Sequence, residues 1–278
     1  MENFCLSNSV KIPSTVLGTN YMDYPRLKEV VKAAFQSGCF ALDTSPNYAS
    51  EKLLGRILKE LEEELGIKRE QYFIQTKLDW NAQIEGRVVE SFENSLNVLG
   101  LGYIDSYLLH WPYPDFFVKD WKTLENLYES GATKSIGVCN FRFRHWEELF
   151  KSDIRILPHI NQIEIHPYRV CEELIKFCEN YSIVTQAYSP TCSMIEPIVN
   201  DDILNQLANK YNVSLVQLIL KWHNQRGIIP VSRSTNPLRV VQNFDIENFR
   251  ISHSDMCLIN SLDRDYKYIV ESYGCPGF

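Results

Sequence analysis

At 278 residues, 45% hydrophobic and 23% charged, the chain has an ordinary globular composition and enough length for a substantial core. A net charge of −7 speaks against nucleic acid as a partner, because a clustered positive surface supplies most of that affinity. No apolar run approaches the roughly 20 residues of a membrane span, and Met1-Glu2-Asn3-Phe4-Cys5 lacks the parts of a signal peptide, so a soluble, cytoplasmic protein is expected.

After a short leader, Thr15-Val16-Leu17-Gly18-Thr19 reads as a buried strand. Leu27, Val30, Val31, Ala34 and Phe35 then form one apolar helical face, which Gly38 ends before strand Phe40-Ala41-Leu42. Leu53, Leu54, Ile57, Leu58, Leu61 and Leu65 make a second stripe, with Glu62-Glu63-Glu64 on its solvated side. Strand Tyr72 to Lys77 precedes a single expected helix carrying Ile84, Val88, Phe92 and Leu96, and strand Ile104 to Leu109 ends at His110-Trp111-Pro112. The alternation repeats through helix Trp121 to Glu129, strand Ser135 to Val138, helix Arg144 to Phe150, strand Ile160 to Ile163, helix Glu172 to Tyr181 and strand Ile183 to Tyr188. Two helical stretches, Ile203 to Tyr211 and Leu215 to Trp222, lead to Ile228-Ile229-Pro230-Val231 and to a last helix from Pro237.

Eight short apolar strands, each followed by an amphipathic helix with no linker between, predict an α/β fold: one (β/α)8 TIM barrel domain over residues 1–278 with its active site at the C-terminal face. An open doubly wound sheet is the alternative, but it would gather polar residues at one switch point, whereas here they follow nearly every strand. The eight cysteines include no Cys-x-x-Cys, and Cys171 and Cys178, expected on one helix, would lie about 10 Å from each other, too far to bridge. Reduced thiols and no metal are expected.

Asp43, Tyr48, Lys77 and His110 follow the second, third and fourth strands and so converge at one mouth. Each alone has a bland reading, as a cap, a rim aromatic, a surface charge or a satisfied polar group. Together they suit carbonyl reduction: hydride addition leaves an alkoxide that needs a proton, which a tyrosine can supply. A neighbouring ammonium should lower the phenol's pKa, a buried carboxylate should keep that ammonium charged, and a histidine can orient the carbonyl.

The segments Asp43-Thr44-Ser45-Pro46-Asn47-Tyr48, Thr76-Lys77-Leu78, Leu109-His110-Trp111-Pro112, Gly137-Val138-Cys139-Asn140-Phe141, Asn161 to Tyr168, Ala187-Tyr188-Ser189-Pro190 and Arg233 to Arg239 carry a resemblance. In that order, from about Pro13 to about Phe249, they resemble the aldo-keto reductase family. The resemblance implies NADPH bound without a Rossmann motif and a catalytic set of Tyr48, His110, Lys77 and Asp43. It implies cofactor contacts from Thr19, Asn20, Asp43, Cys139, Asn140, Gln162, Tyr188, Ser189, Pro190, Arg233, Ser234, Thr235, Asn236, Arg239, Gln242 and Asn243. Asn140 and Gln162 would hold the carboxamide, Tyr188 would stack on the nicotinamide, and Arg233, Ser234 and Arg239 would surround the 2′-phosphate. A helix starting at Asn236-Pro237 beside two guanidiniums supports that last site independently.

Substrate contacts are expected from Tyr21, Tyr48, Trp80, His110 and Trp111, with Phe116 and Phe117 as further candidate walls. The partner is a small-molecule carbonyl substrate and the protein a monomer, with no nucleic acid or membrane involved. Departures from the family pattern are Cys139 for serine, Arg233 for lysine, Gln242 for glutamate, Asn20 for an aromatic residue, and Asp79-Trp80 after Leu78. A nucleotide-sensing regulatory subunit on the same barrel is the rival reading. Reduction of a carbon–carbon double bond goes with glutamate in place of His110 and is disfavoured.

Overall fold

The computed structural model describes residues 3–269. A hairpin absent from the expectation opens the chain, β1 (Asn3–Cys5) pairing antiparallel with β2 (Lys11–Pro13). Strands and helices then alternate as β3 (Val16–Gly18), α1 (Tyr24–Gln36), β4 (Ala41–Asp43), α2 (Glu51–Leu65), β5 (Phe73–Lys77), α3 (Trp80–Ile84), α4 (Val88–Leu99), β6 (Ser106–Leu109) and α5 (Phe117–Glu129). The second half runs β7 (Ile136–Cys139), α6 (Phe143–Lys151), β8 (Ile160–Glu164), α7 (Glu172–Asn180), β9 (Val184–Tyr188), α8 (Glu196–Val199), α9 (Asp202–Tyr211), α10 (Leu215–Gln225), β10 (Ile229–Ser232), α11 (Pro237–Phe244) and α12 (His253–Asn260).

Strands β3 to β10 are parallel in chain order, and β10 returns to β3 with Val231 opposite Val16, so the sheet closes as a (β/α)8 barrel. Closure leaves no exposed sheet edge, which lets strands of three to five residues be stable. The N-terminal end is plugged by apolar side chains. Val16, Ala41, Phe73, Ile160 and Ile229 pack there with Leu6 and Ile12, so the hairpin acts as a floor. Three larger clusters seal the helices onto the outside of the sheet, the largest side chains being Trp121, Trp146 and Trp222.

The helix expected across Ile84 to Leu96 is two helices. Gly86, at φ 70°, breaks it, and Ile84 is left exposed because the short α3 faces the barrel mouth rather than continuing the stripe. Helix α5 starts at Phe117, four residues before the expected Trp121; Phe117 is buried against Phe141 and is core, not a substrate wall. Cys171 caps α7 from outside at φ 53° instead of lying within the helix. Among the described residues, no helix is long and apolar enough to cross a membrane.

Close approaches require glycine at two places. A Cβ on Gly137 would lie 2.7 Å from the Ile160 carbonyl oxygen across the sheet, and one on Gly55 would lie 2.8 Å from Leu99 Cα, where α2 crosses α4.

Candidate active site

Strand β4 ends at Asp43, and the chain then turns sharply through a 3₁₀ turn at Pro46–Tyr48. Ser45 caps the turn, its Oγ accepting from the Asn47 amide at 3.2 Å, and proline sets the first helical φ. The turn leaves Tyr48 half-buried at the mouth. Strand β5 delivers Lys77, whose Nζ donates to Asp43 Oδ1 at 2.6 Å and to the Thr44 carbonyl at 3.1 Å. Both side chains of the ion pair are almost wholly buried, at 1% and 4% exposure, and the ammonium lies 4.8 Å from the centre of the Tyr48 ring. His110, just past β6, meets the Tyr48 ring edge-on at 5.8 Å between centroids and is stacked between Trp80 and Trp111. The four expected catalytic side chains therefore form one cluster.

Below them lies a polar layer that the sequence reading missed. Asp43 Oδ2 accepts from Gln75 Nε2 at 2.6 Å and from Gln162 Nε2 at 3.1 Å. Both glutamines also donate to Gln186 Oε1, at 2.8 and 2.9 Å, and Gln186 donates back to Gln75 at 3.1 Å. All are buried, so the carboxylate is held from below by amides and from the side by an ammonium. Glutamine within otherwise apolar strands was the available signal for Gln75 and Gln186.

Burial pushes the Tyr48 phenol up to about 12, with Lys77 pulling against it and Asp43 adding to the rise. Lys77 lowers the phenol as expected, but desolvation of a phenolate outweighs the ammonium and Asp43 opposes it, so the net shift is upward. Burial lowers Lys77, but Asp43 and Tyr48 outweigh it and the ammonium is held above its usual value. Burial, then Lys77, drives His110 well below the usual histidine range, so the ring is neutral at neutral pH.

Asn47, also missed, orients that histidine. Its Nδ2 donates to Asp79 Oδ2 at 2.6 Å, which turns its Oδ1 to His110 Nδ1 at 3.3 Å, while Ser45 Oγ sits 3.4 Å from the same nitrogen. Asn47 Oδ1 favours a proton on Nδ1, whereas Ser45 can donate to Nδ1 and so favour a proton on Nε2.

A cavity of about 790 Å³ opens above this cluster, within the range of small-molecule and cofactor sites. The expected residues Asn20, Tyr21, Asp43, Tyr48, Trp80, His110, Trp111, Cys139, Asn140, Gln162, Tyr188, Ser189, Pro190 and Arg233 line it. Asn47, Thr191, Ser193, Met194, Tyr268 and Ile269 join them without having been expected; the last two come from the C-terminal tail, which gives no periodic signal. Asn140 takes a left-handed φ of 63° and is fixed at both ends, donating to the His110 carbonyl at 3.2 Å and accepting from Tyr188 Oη at 2.9 Å. That bond locks the Tyr188 ring.

Thr19 does not reach the cavity. It is buried, and its hydroxyl donates to the Asp43 carbonyl at 3.0 Å, so it holds strands together. Arg233 lines the cavity but is not free: Nε and Nη2 donate to the Asn20 and Tyr21 carbonyls at 2.6 and 3.0 Å. Ser234, Thr235, Asn236, Arg239, Gln242 and Asn243 lie outside the cavity lining, on the turn after β10 and on α11. Asn236 Oδ1 caps α11, accepting from the Leu238 and Arg239 amides, while Arg239 and Gln242 are exposed and Asn243 is buried. Phe116 packs beside Trp111 and Tyr113.

The donor set suits a nicotinamide nucleotide. The amides of Asn140 and Gln162 line the cavity with the locked Tyr188 ring, the Asn20 Oδ1 acceptor is buried without a partner, and Arg233 is among the lining residues.

Comparison with known proteins agrees with this geometry. The family described as Aldo/keto reductase matches residues 14–195 and 199–264. The chain is 37% identical to the uncharacterized oxidoreductase YtbE of Bacillus subtilis, over 94% of this chain and 93% of that one. It is also 37% identical to the glyoxal reductase of the same organism, over 94% and 92%. The crystal structure of a Bombyx mori aldo-keto reductase (AKR2E4) in complex with NADP superposes with a TM-score of 0.91 at 30% identity, covering 98% of this chain and 95% of that one. With barrel, cluster and relatives in agreement over nearly the full length, the chain belongs to the aldo/keto reductase family.

Proposed function

We propose that this NADP-dependent oxidoreductase reduces the carbonyl of a small aldehyde or ketone to an alcohol, with Tyr48 as the proton donor. The observation that carries the reading is the cluster of Tyr48, the buried Lys77–Asp43 pair and the neutral His110 at the floor of a nucleotide-sized cavity.

Bound NADPH supplies the hydride. Tyr48 holds its proton firmly in the resting state, since its phenol stands near 12, and gives it only to a stronger base such as an alkoxide. Lys77 stabilises the phenolate left behind, and Asp43 keeps Lys77 charged while the glutamines keep Asp43 in place. His110, accepting a hydrogen bond at Nδ1 from the Ser45 hydroxyl, presents Nε2–H to the carbonyl oxygen and steadies the charge developing there. Asn140 and Gln162 would hold the carboxamide, Tyr188 would offer its flat face to the nicotinamide ring, and Arg233 with Arg239 would receive the 2′-phosphate. The relative named glyoxal reductase supports a small dicarbonyl among the first substrates to try.

The test is NADPH oxidation followed by absorbance with a panel of aldehydes, ketones and dicarbonyls. Tyr48→Phe should lower kcat by about 10²–10⁴-fold, the usual worth of a general acid, while NADPH binding followed by fluorescence stays close to wild type. A Tyr48→Phe enzyme with full turnover removes the assignment, and a wild type that binds NADPH yet reduces nothing favours a regulatory subunit.

A further inference from the structure

One wall of the catalytic cavity is the loop between β3 and α1, where Asn20 and Tyr21 both line the space. Tyr21 takes a left-handed φ of 47°, which a bulky residue adopts only where its surroundings impose it, and it is 65% exposed. The loop is anchored on either side of this pair. The Thr19 hydroxyl donates to the Asp43 carbonyl, Met22 is buried in the apolar cluster of α1 and α2, and Asp23 Oδ1 caps α1 by accepting from the Arg26 amide at 3.0 Å.

Between the anchors, Arg233 holds the pair. Strand β10 lies beside β3, so the residue after β10 stands next to the end of β3, and a Cβ on Gly18 would lie 3.7 Å from Arg233 Cβ. From there Nε donates to the Asn20 carbonyl at 2.6 Å and Nη2 to the Tyr21 carbonyl at 3.0 Å. Those carbonyls belong to the two peptides that flank the Tyr21 Cα, so one rigid fork fixes both backbone dihedrals of Tyr21. The same fork sets the place of Asn20, whose Oδ1 acceptor is buried without a partner. A guanidinium has five N–H groups, and the two engaged here leave both of those on Nη1 for an anion. Arg233 is exposed, so water competes for the fork until such an anion fixes it.

We propose that Arg233 is a positioning residue for the substrate wall: it holds Asn20 and Tyr21 in their cavity-lining pose, and the coenzyme 2′-phosphate tightens that hold. The proposal rests on the NADP-dependent reading above and adds a coupling between the coenzyme phosphate and the substrate. By linkage, a substrate that leans on Tyr21 strengthens phosphate binding by the same factor.

Hydrogen exchange read by mass spectrometry follows the peptide from Thr19 to Arg26 in the full-length enzyme, free or saturated with NADP+ or NAD+. The wild-type loop should exchange about fivefold or more slowly with NADP+ than with NAD+. Arg233→Lys keeps a cation for the phosphate but has no fork; its free loop should exchange faster than wild type, and the difference between the two coenzymes should disappear. At saturating NADPH, Arg233→Lys and Tyr21→Ala should each raise KM severalfold for 4-nitrobenzaldehyde and hexanal and less for the smaller methylglyoxal, and the double variant should be no worse than Tyr21→Ala. Loop exchange untouched by Arg233→Lys, a coenzyme difference that survives it, or KM losses that multiply in the double variant each overturn the proposal. A wild type that turns over none of the three aldehydes defeats the reductase reading instead, and the exchange measurements still decide the fork.

Discussion

Replacing Lys77 by methionine isolates the charge at the heart of the site, because the methionine stem fills nearly the same space. In the wild type, Lys77 Nζ and Thr44 O are 3.1 Å apart, and Asp43 Oδ1 takes its hydrogen bond from that ammonium at 2.6 Å. With the ammonium gone, Oδ2 keeps Gln75 and Gln162, but Oδ1 is stranded in a pocket where the Asp43 side chain is only 4% exposed. Breaking a buried pair in this way costs about 3–5 kcal/mol, a large part of the roughly 5–15 kcal/mol available to a domain. At about 2–4 °C per kcal/mol, the melting temperature should fall by about 6–20 °C. The double variant Lys77→Met/Asp43→Asn removes the stranded charge and should recover more than half of that loss, while remaining inactive. Thermal melts of the wild type, both single variants and the double variant at pH 7 measure the coupling directly. If the double variant melts no higher than Lys77→Met, the carboxylate is not what destabilises the single variant and the argument fails.

Three further outcomes follow from the geometry. Because Tyr48 titrates near 12 and His110 well below its usual range, neither changes protonation between pH 6 and 9; kcat/KM for reduction should be flat there, and an acid limb near 6.5 that vanishes in His110→Gln would contradict the neutral ring. Gly137→Ala forces a methyl to 2.7 Å from both the Ile160 carbonyl and Leu108 Cδ2, and should destabilise the barrel by about 1–3 kcal/mol in denaturant melts; a neutral effect would mean that β7 and β8 can separate freely. Arg239→Ala should weaken NADPH by about tenfold or more while NADH changes little, and equal losses for both coenzymes by fluorescence titration would remove its 2′-phosphate role.

Much of the site was legible because it is local in sequence. Asp43 and Tyr48 sit five residues apart on one strand end and its turn, and the period of the barrel brings Lys77 and His110 beside them. Cavity-lining residues next to strand ends, such as Cys139, Asn140, Gln162 and Tyr188, were found for the same reason. Other expected site residues also have partners within the fold. Thr19 bonds to the Asp43 carbonyl and Arg233 to the backbone of Asn20 and Tyr21, while Asn236 caps α11, as its place before Pro237 predicts.

The sequence by itself determined the alternation of strand and helix, since apolar periodicity and glycine breaks are properties of short windows. It also determined which residue types gather at the mouth, since strand ends all face one way in a parallel barrel. Only the tertiary structure decided the rest. The Gln75–Gln186 pair under Asp43 joins residues 111 positions apart, and the hairpin floor joins Leu6 and Ile12 to the interior of the barrel. The direction of the Tyr48 shift depended on burial winning over the nearby Lys77 ammonium, which Asp43 opposes. Desolvation and long-range charge depend on distance in space, and no local window of sequence carries that distance.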